Sequence, residues 1–150
     1  MRIVLQRVNK AAVHINGHKH TSIKKGMLVL LGVEVNDTEE DADWICQKLS
    51  KMRIFNDVNG VMNRTIQEEG GEFLVISQFT LHASTKKGNR PSYIKAARPE
   101  QAVPLYEYVL DKLWMESERP VKAGVFGANM QVSLENDGPV TIIMDSKNKE

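Results

Sequence analysis

The sequence predicts an α+β fold: a mostly antiparallel β-sheet system, curled or split into two layers, with two helices packed on it. Three observations carry that expectation. Apolar residues alternate or run in short blocks through most of the chain, as strands do. Two stretches, near 39–52 and 99–116, switch to the three- and four-residue spacing of a helix face. The order is strands, helix, strands, helix, strands, and a sheet of more than about six strands curls or divides. At 150 residues the chain is expected to form a single domain, 1–150, with a sizeable core.

The elements follow in order. Ile3-Val4-Leu5 and Val13-His14-Ile15 read as strand, and Asn16-Gly17 as a hairpin turn, because both residues tolerate positive φ. The apolar run 27–33 suggests a strand buried on both faces. Ala42, Ile45, Leu49 and Met52 define the first helix face, with Asp37 or Thr38 as cap and Glu39, Glu40 and Asp41 at the positive end of its dipole. Arg53-Ile54-Phe55 is extended, and a turn follows at Asn59-Gly60. Residues 72–81 give the strongest strand signal, and 82–91 a Lys-, Gly- and Asn-rich loop. The second helix buries Ala102, Tyr106, Val109 and Leu113. Pro99 suits its first turn, whereas Pro104 implies a kink or a later start. Residues 121–134 and 140–145 read as two strands joined by a turn, and 146–150 as a frayed polar tail.

Composition narrows the function. With 20 Lys+Arg against 19 Asp+Glu, the chain does not coat nucleic acid by bulk charge; contact with RNA requires a local patch. No apolar run of membrane-spanning length occurs, and charge breaks the apolar start, so neither a membrane span nor a secretory signal is expected. One cysteine, Cys46, excludes an intramolecular disulfide and a Cys-based zinc site and fits a reducing cytoplasm; it reads as a packing residue. His14, His18 and His20 lack metal-ligand spacing and read as solvated turn residues. His82 is the one histidine near the strong strand and reads as an exposed loop residue.

Two segments stand out. Ser77-Gln78-Phe79-Thr80-Leu81 ends an apolar strand with two hydroxyls and an amide. Strict alternation places Ser77, Phe79 and Leu81 on one face and Gln78 and Thr80 on the other. Such groups, with free strand-end amides, can bind a carbonyl and its developing oxyanion; an ordinary half-buried strand end explains them equally well. Asn136-Asp137-Gly138-Pro139-Val140-Thr141 is good turn chemistry by itself.

Together these segments resemble the two signature motifs of the D-aminoacyl-tRNA deacylase family. Leu5-Gln6-Arg7-Val8 and Lys87-Gly88-Asn89-Arg90-Pro91-Ser92 extend the resemblance over essentially the whole chain. It implies a cytoplasmic homodimer, without cofactor or metal, that hydrolyses the ester between a D-amino acid (or glycine) and the terminal adenosine of tRNA. It implies a cis Gly138–Pro139 peptide inserted into the partner's active site, where backbone carbonyls reject an L side chain, with Arg7 fixing that motif. It implies that Ser77, Gln78, Phe79 and Thr80 line the ester, with the Phe79 amide as oxyanion donor, and that Ala102 lies near the adenosine. It also favours assistance by the tRNA's own 2′-hydroxyl over attack by Thr80, since a bare hydroxyl needs a base. Lys86, Lys87 and Arg90, in the basic loop beside the first motif, are candidates for phosphate contact at the acceptor end. Two rival readings remain: a binding module without catalysis, and an esterase for small D-amino acid derivatives.

Overall fold

In the computed structural model, which describes residues 1–150, β1 (Arg2–Ile15) is the spine of a six-stranded mixed sheet. Along one edge it pairs antiparallel with β2 (His18–Ile23) and β3 (Gly26–Gly32). Along the other it pairs antiparallel with β8 (Gln131–Asp145) over nearly its whole length. Beyond β3 the sheet continues in parallel through β6 (Glu72–Ser77) and β7 (Val121–Ala123). It curls: Lys122 Nζ on β7 donates to the Ser22 carbonyl on β2 at 2.8 Å, although the two strands end opposite sides of the order. β4 (Phe55–Asn56) and β5 (Met62–Arg64) form a separate small hairpin. No helix is long and apolar enough to cross a membrane.

The central strands are covered on both faces, which is why their sequences run apolar without alternation. Met27, Val29, Leu31, Phe73 and Val75 face a core of 20 buried residues that includes α1 (Glu39–Lys51) and α3 (Pro99–Ser117). Leu28, Leu74 and Ile76 face a second core of 7. β1 serves both. Ile3 and Leu5 enter the first, beside Met1; Val8, Ala11 and Val13 enter the second. Its pairing with β8 shifts register between Gln6 and Val8 and again between Val8 and Lys10. A shift of one residue turns the following side chains to the other face. Arg7 lies in the first of the two irregularities, between Gln6 and Val8, and is 5% exposed.

The helices form where their patterns direct. Thr38 caps α1, its backbone N–H donating to Asp41 Oδ2 at 2.9 Å, and Ala42, Ile45, Cys46 and Leu49 are fully buried. Each large aliphatic side chain buried this way contributes about 1.5–3 kcal/mol. α3 packs on α1, with Cys46 Sγ 3.6 Å from the Val109 carbonyl.

Several expectations are corrected. The strand predicted over 72–81 ends at Ser77; Phe79–His82 is a 3-10 turn. Its ladder partner β3 ends at Gly32, so nothing holds the chain extended, and the predicted two-faced alternation of 77–81 is not realised. A third helix, α2 (Ile66–Glu69), forms between Thr65, which makes a capping box with Glu68, and the left-handed Gly70. The Thr-x-x-Glu spacing at 65–68 was its signal. The strand predicted over 121–134 is broken after Ala123 by a loop containing Gly127 at φ +76°. Residues 135–139 do not separate two strands: β8 runs through them. Pro104 sits inside α3, which starts at Pro99 and continues past it. There the missing N–H costs one intrahelical bond near the N-terminus. The tail is not frayed at its start: Ser146 is 5% exposed and donates to Asp41 Oδ1 at 2.7 Å, and Lys147 Nζ reaches Asp41 Oδ2 at 2.7 Å.

Candidate active site

The first motif is shaped by where β3 stops. The Gln78 amide donates to the Leu31 carbonyl at 2.7 Å, and the chain then folds back over Gly32. A Cβ at Gly32 would lie 2.9 Å from the Gln78 carbonyl and 3.0 Å from His82 Cδ2, so only glycine admits the turn this close. Within Phe79–His82, Leu81 N–H donates to the Gln78 carbonyl at 3.3 Å. The Phe79 and Thr80 amides open the turn and have no acceptor within it. Gln78 Nε2 donates to Thr80 Oγ1.

Beside this turn lies a cavity of about 300 Å³. Ser77, Gln78 and Phe79 form one wall, Ala102 and Tyr106 of α3 another, and the Phe126–Met130 segment a third. Tyr106 and Phe126 meet edge to face, 5.9 Å between ring centres. The wall residues include no carboxylate, imidazole or amine. Their one ionisable group, the Tyr106 hydroxyl, donates to the Val75 carbonyl at 2.8 Å, and burial pushes it up to about 12. Of the residues expected to line the site, Ser77, Gln78, Phe79 and Ala102 do and Thr80 does not, while Tyr106, Phe126, Asn129 and Met130 are walls the sequence did not single out. The glycines at 124 and 127, breaking an apolar stretch, were the available sign of a loop.

His82 is not the exposed loop residue the sequence suggests. It is 3% exposed, and its Nε2 has no partner. It closes the 3-10 turn from behind, against Gly32, and is not among the cavity walls. Of the other histidines, His18 and His20 are exposed on β2 and His14 is half-buried on β1.

The second motif is a bulge. Opposite β1, Val8 faces Asn136 and Gln6 faces Thr141, so residues 137–140 loop out across Arg7. Asn136 spans the loop: its Oδ1 accepts from Val140 N–H at 2.8 Å, and its Nδ2 donates to the Val140 carbonyl at 3.2 Å. The Arg7 guanidinium holds the base of the loop. Its Nε donates to the Asp137 carbonyl at 3.0 Å and sits 3.2 Å from Asp137 Oδ2. Its Nη1 donates to the Ile54 carbonyl at 2.6 Å and to Asn56 Oδ1 at 3.2 Å. The Gly138–Pro139 peptide is cis, and Gly138 has φ +139°. A Cβ there would meet Val140 Cγ2 at 2.9 Å. Both residues are exposed, and neither is a wall of the cavity in the same chain.

Lys86, Lys87 and Arg90 are exposed and form no ion pair. Their loop is pinched by reciprocal backbone bonds between Ser84 and Ser92, 2.8 and 2.9 Å. It is tied to the first motif by the Phe79–Tyr93 pair, 5.0 Å between ring centres.

A family model described as D-Tyr-tRNA(Tyr) deacylase matches residues 4–145. The chain belongs to the D-Tyr-tRNA(Tyr) deacylase family. Both motifs of this deacylase-family chain fall within the matched span. It is 61% identical to a Bacteroides thetaiotaomicron protein and 59% identical to a Bacteroides fragilis protein, each over 150 residues and the full length of both chains. It is 57% identical to an Akkermansia muciniphila protein over the same extent. All three are named D-aminoacyl-tRNA deacylase. Among solved structures, one titled c-Myc DNA Unwinding Element Binding Protein matches with a TM-score of 0.91 and 37% identity, covering 97% of this chain and 98% of that one. A second, titled a probable eukaryotic D-amino acid tRNA deacylase, matches with a TM-score of 0.81 at 16% identity, over 95% and 97% of the two chains, and shows the shared fold.

Proposed function

We propose that the protein is a D-aminoacyl-tRNA deacylase, a hydrolase that cleaves the ester joining a D-amino acid or glycine to the 3′-terminal adenosine of tRNA. Family membership and the names of the full-length relatives support the activity. One observation carries the mechanism: the motif turn borders a cavity whose walls offer hydrogen-bond donors but no base. Thr80 Oγ1 is hydrogen-bonded to Gln78 and has nothing to take its proton. Water is therefore the nucleophile, assisted by the ribose 2′-hydroxyl beside the ester. Water adds to the ester carbonyl, and the Phe79 amide meets the oxyanion; one such donor is worth about 10²–10³ in rate. The carbon–oxygen bond to the ribose then breaks, a proton passes to the ribose oxygen, and free amino acid leaves. Ser77 and Gln78 position the ester, and Ala102 lies under the adenosine.

Chiral selection falls to Gly138 and Pro139. Their carbonyls face the substrate's amino group and α-carbon, so an L side chain clashes. Arg7 holds the Asp137 carbonyl and Asn136 the Val140 amide, so the backbone is fixed on both sides of Gly138–Pro139 and does not swing aside. The exposure of Gly138–Pro139, away from the cavity of its own chain, supports a homodimer in which each copy completes the other's site. The basic loop is positioned for acceptor-end phosphates. Such an enzyme works in translation quality control, in the cytoplasm where tRNA is charged.

The 37%-identical structure named for binding DNA favours a second reading, nucleic-acid binding without hydrolysis. One experiment separates the readings: release of amino acid from D-Tyr-tRNA, L-Tyr-tRNA and D-Tyr methyl ester. Loss of the D-Tyr-tRNA ester alone is expected. Cleavage of the methyl ester would indicate a small-molecule esterase, and binding of tRNA with no cleavage would indicate the binding module.

A further inference from the structure

We propose that Arg2 is a positioning residue for the Phe79–His82 turn, anchored by Asp145. Arg2 opens β1 and lies between Gly32 on β3 and Asp145 on β8. Its Nη1 donates to the Leu81 carbonyl at 2.7 Å, one residue past Thr80. Its Nε and Nη2 both donate to Asp145 Oδ2, at 3.0 and 2.8 Å. The other Asp145 oxygen accepts from the Lys147 backbone N–H at 2.9 Å, which fixes the carboxylate that holds the guanidinium.

The geometry gives this clamp a specific duty. The near end of the turn hangs on β3 through the Gln78 amide, 2.7 Å from the Leu31 carbonyl. The far end is tied to β8 by Arg2 alone among side chains. Between those two holds lie the Phe79 and Thr80 amides, whose direction follows the tilt of the turn. Arg2 thereby ties the turn to β8 of its own chain. Both holds need a forked donor; a lysine ammonium reaches the Leu81 carbonyl or the carboxylate but not both with the same geometry.

This inference rests on the proposed role of the Phe79 amide, so its test pairs activity with a readout independent of it. Arg2→Met and Arg2→Lys are compared with wild type in kcat and KM on D-Tyr-tRNA, melting temperature, and amide exchange across residues 79–83. Both variants are expected to lose about tenfold in kcat, with KM within about twofold, since small misplacements of catalytic groups act on the chemical step. Within 79–83, the hydrogen-bonded amides of Leu81 and Ala83 should exchange about tenfold faster while amides of β1 and β6 stay as they were. Unchanged exchange at 79–83 would overturn the proposal, and so would full recovery of kcat by lysine, which would reduce Arg2 to a charge. If wild type itself leaves D-Tyr-tRNA intact, the deacylase reading falls, and the exchange at 79–83 still decides the clamp.

Discussion

Arg7→Met tests how the second motif is held. Methionine keeps the apolar stem and deletes the guanidinium. The Ile54 carbonyl, buried and 2.6 Å from Nη1, loses its partner, which costs about 1–3 kcal/mol. The Asp137 carbonyl, 3.0 Å from Nε, is part-buried and loses a weaker contact, about 1 kcal/mol. The ion pair to the Asp137 carboxylate counts for little, about 0.5 kcal/mol, because that side chain is 34% exposed. The expected loss is about 2.5–4.5 kcal/mol. That corresponds to roughly 5–18 °C in melting temperature for a chain of this size. Urea unfolding followed by tryptophan fluorescence measures it, with the denaturant slope unchanged. Arg7→Lys should lose about half as much, keeping one bond. Discrimination should fall too: with the loop loosened, the ratio of D-Tyr-tRNA to L-Tyr-tRNA hydrolysis drops. A stability loss below about 1 kcal/mol, with discrimination intact, would refute the view that Arg7 carries this loop.

Three other outcomes are expected. Thr80→Ala should retain measurable activity, within about tenfold of wild type, since its hydroxyl has no base; a loss as deep as removing the whole site, with tRNA still bound, would make Thr80 the nucleophile. Replacing Lys86, Lys87 and Arg90 with Gln should weaken tRNA binding and lower the salt slope by about two to three, near one per phosphate contact; an unchanged slope would clear the loop of that role. For Asp41, burial alone would push its carboxyl up, but hydrogen bonds from Lys147, Ser146 and the Thr38 backbone outweigh it and hold it well below the usual carboxylate range. Its contribution is therefore present above the unfolded value and lost as pH falls, from about pH 5 downward. Asp41→Asn should flatten the urea midpoint against pH in that window.

The parts of the structure legible in the sequence are those with local causes. The Asn16-Gly17 turn, the Thr38 cap and the buried 27–33 strand each follow from residues next to one another. Residues 77–80 stand out in the sequence, yet their geometry does not: Ser77, Gln78 and Phe79 line the cavity and Thr80 does not. Phe79 looks like one more strand residue until β3 runs out at Gly32, a fact of pairing and not of spacing. His82 is misread for the same reason, since its burial depends on a glycine fifty positions earlier in the chain. The bulge over 137–140 is invisible locally because it is a mismatch in length against β1. Tyr106 was assigned to the core face of its helix correctly, but that the same face also walls a cavity depends on the 126–130 loop arriving from elsewhere.

A strand that changes face part-way binds two interiors into one. β1, β3 and β6 each give residues to both, so neither interior keeps its central strands if the other dissolves. Arg7 stands at the crossing, and the loop it holds hangs from the same backbone. Loss of catalysis and loss of folded structure should then track each other through denaturation, with one midpoint for activity and for the fluorescence of Trp44 and Trp114. A molecule built this way has no half-folded form in which one interior outlasts the other.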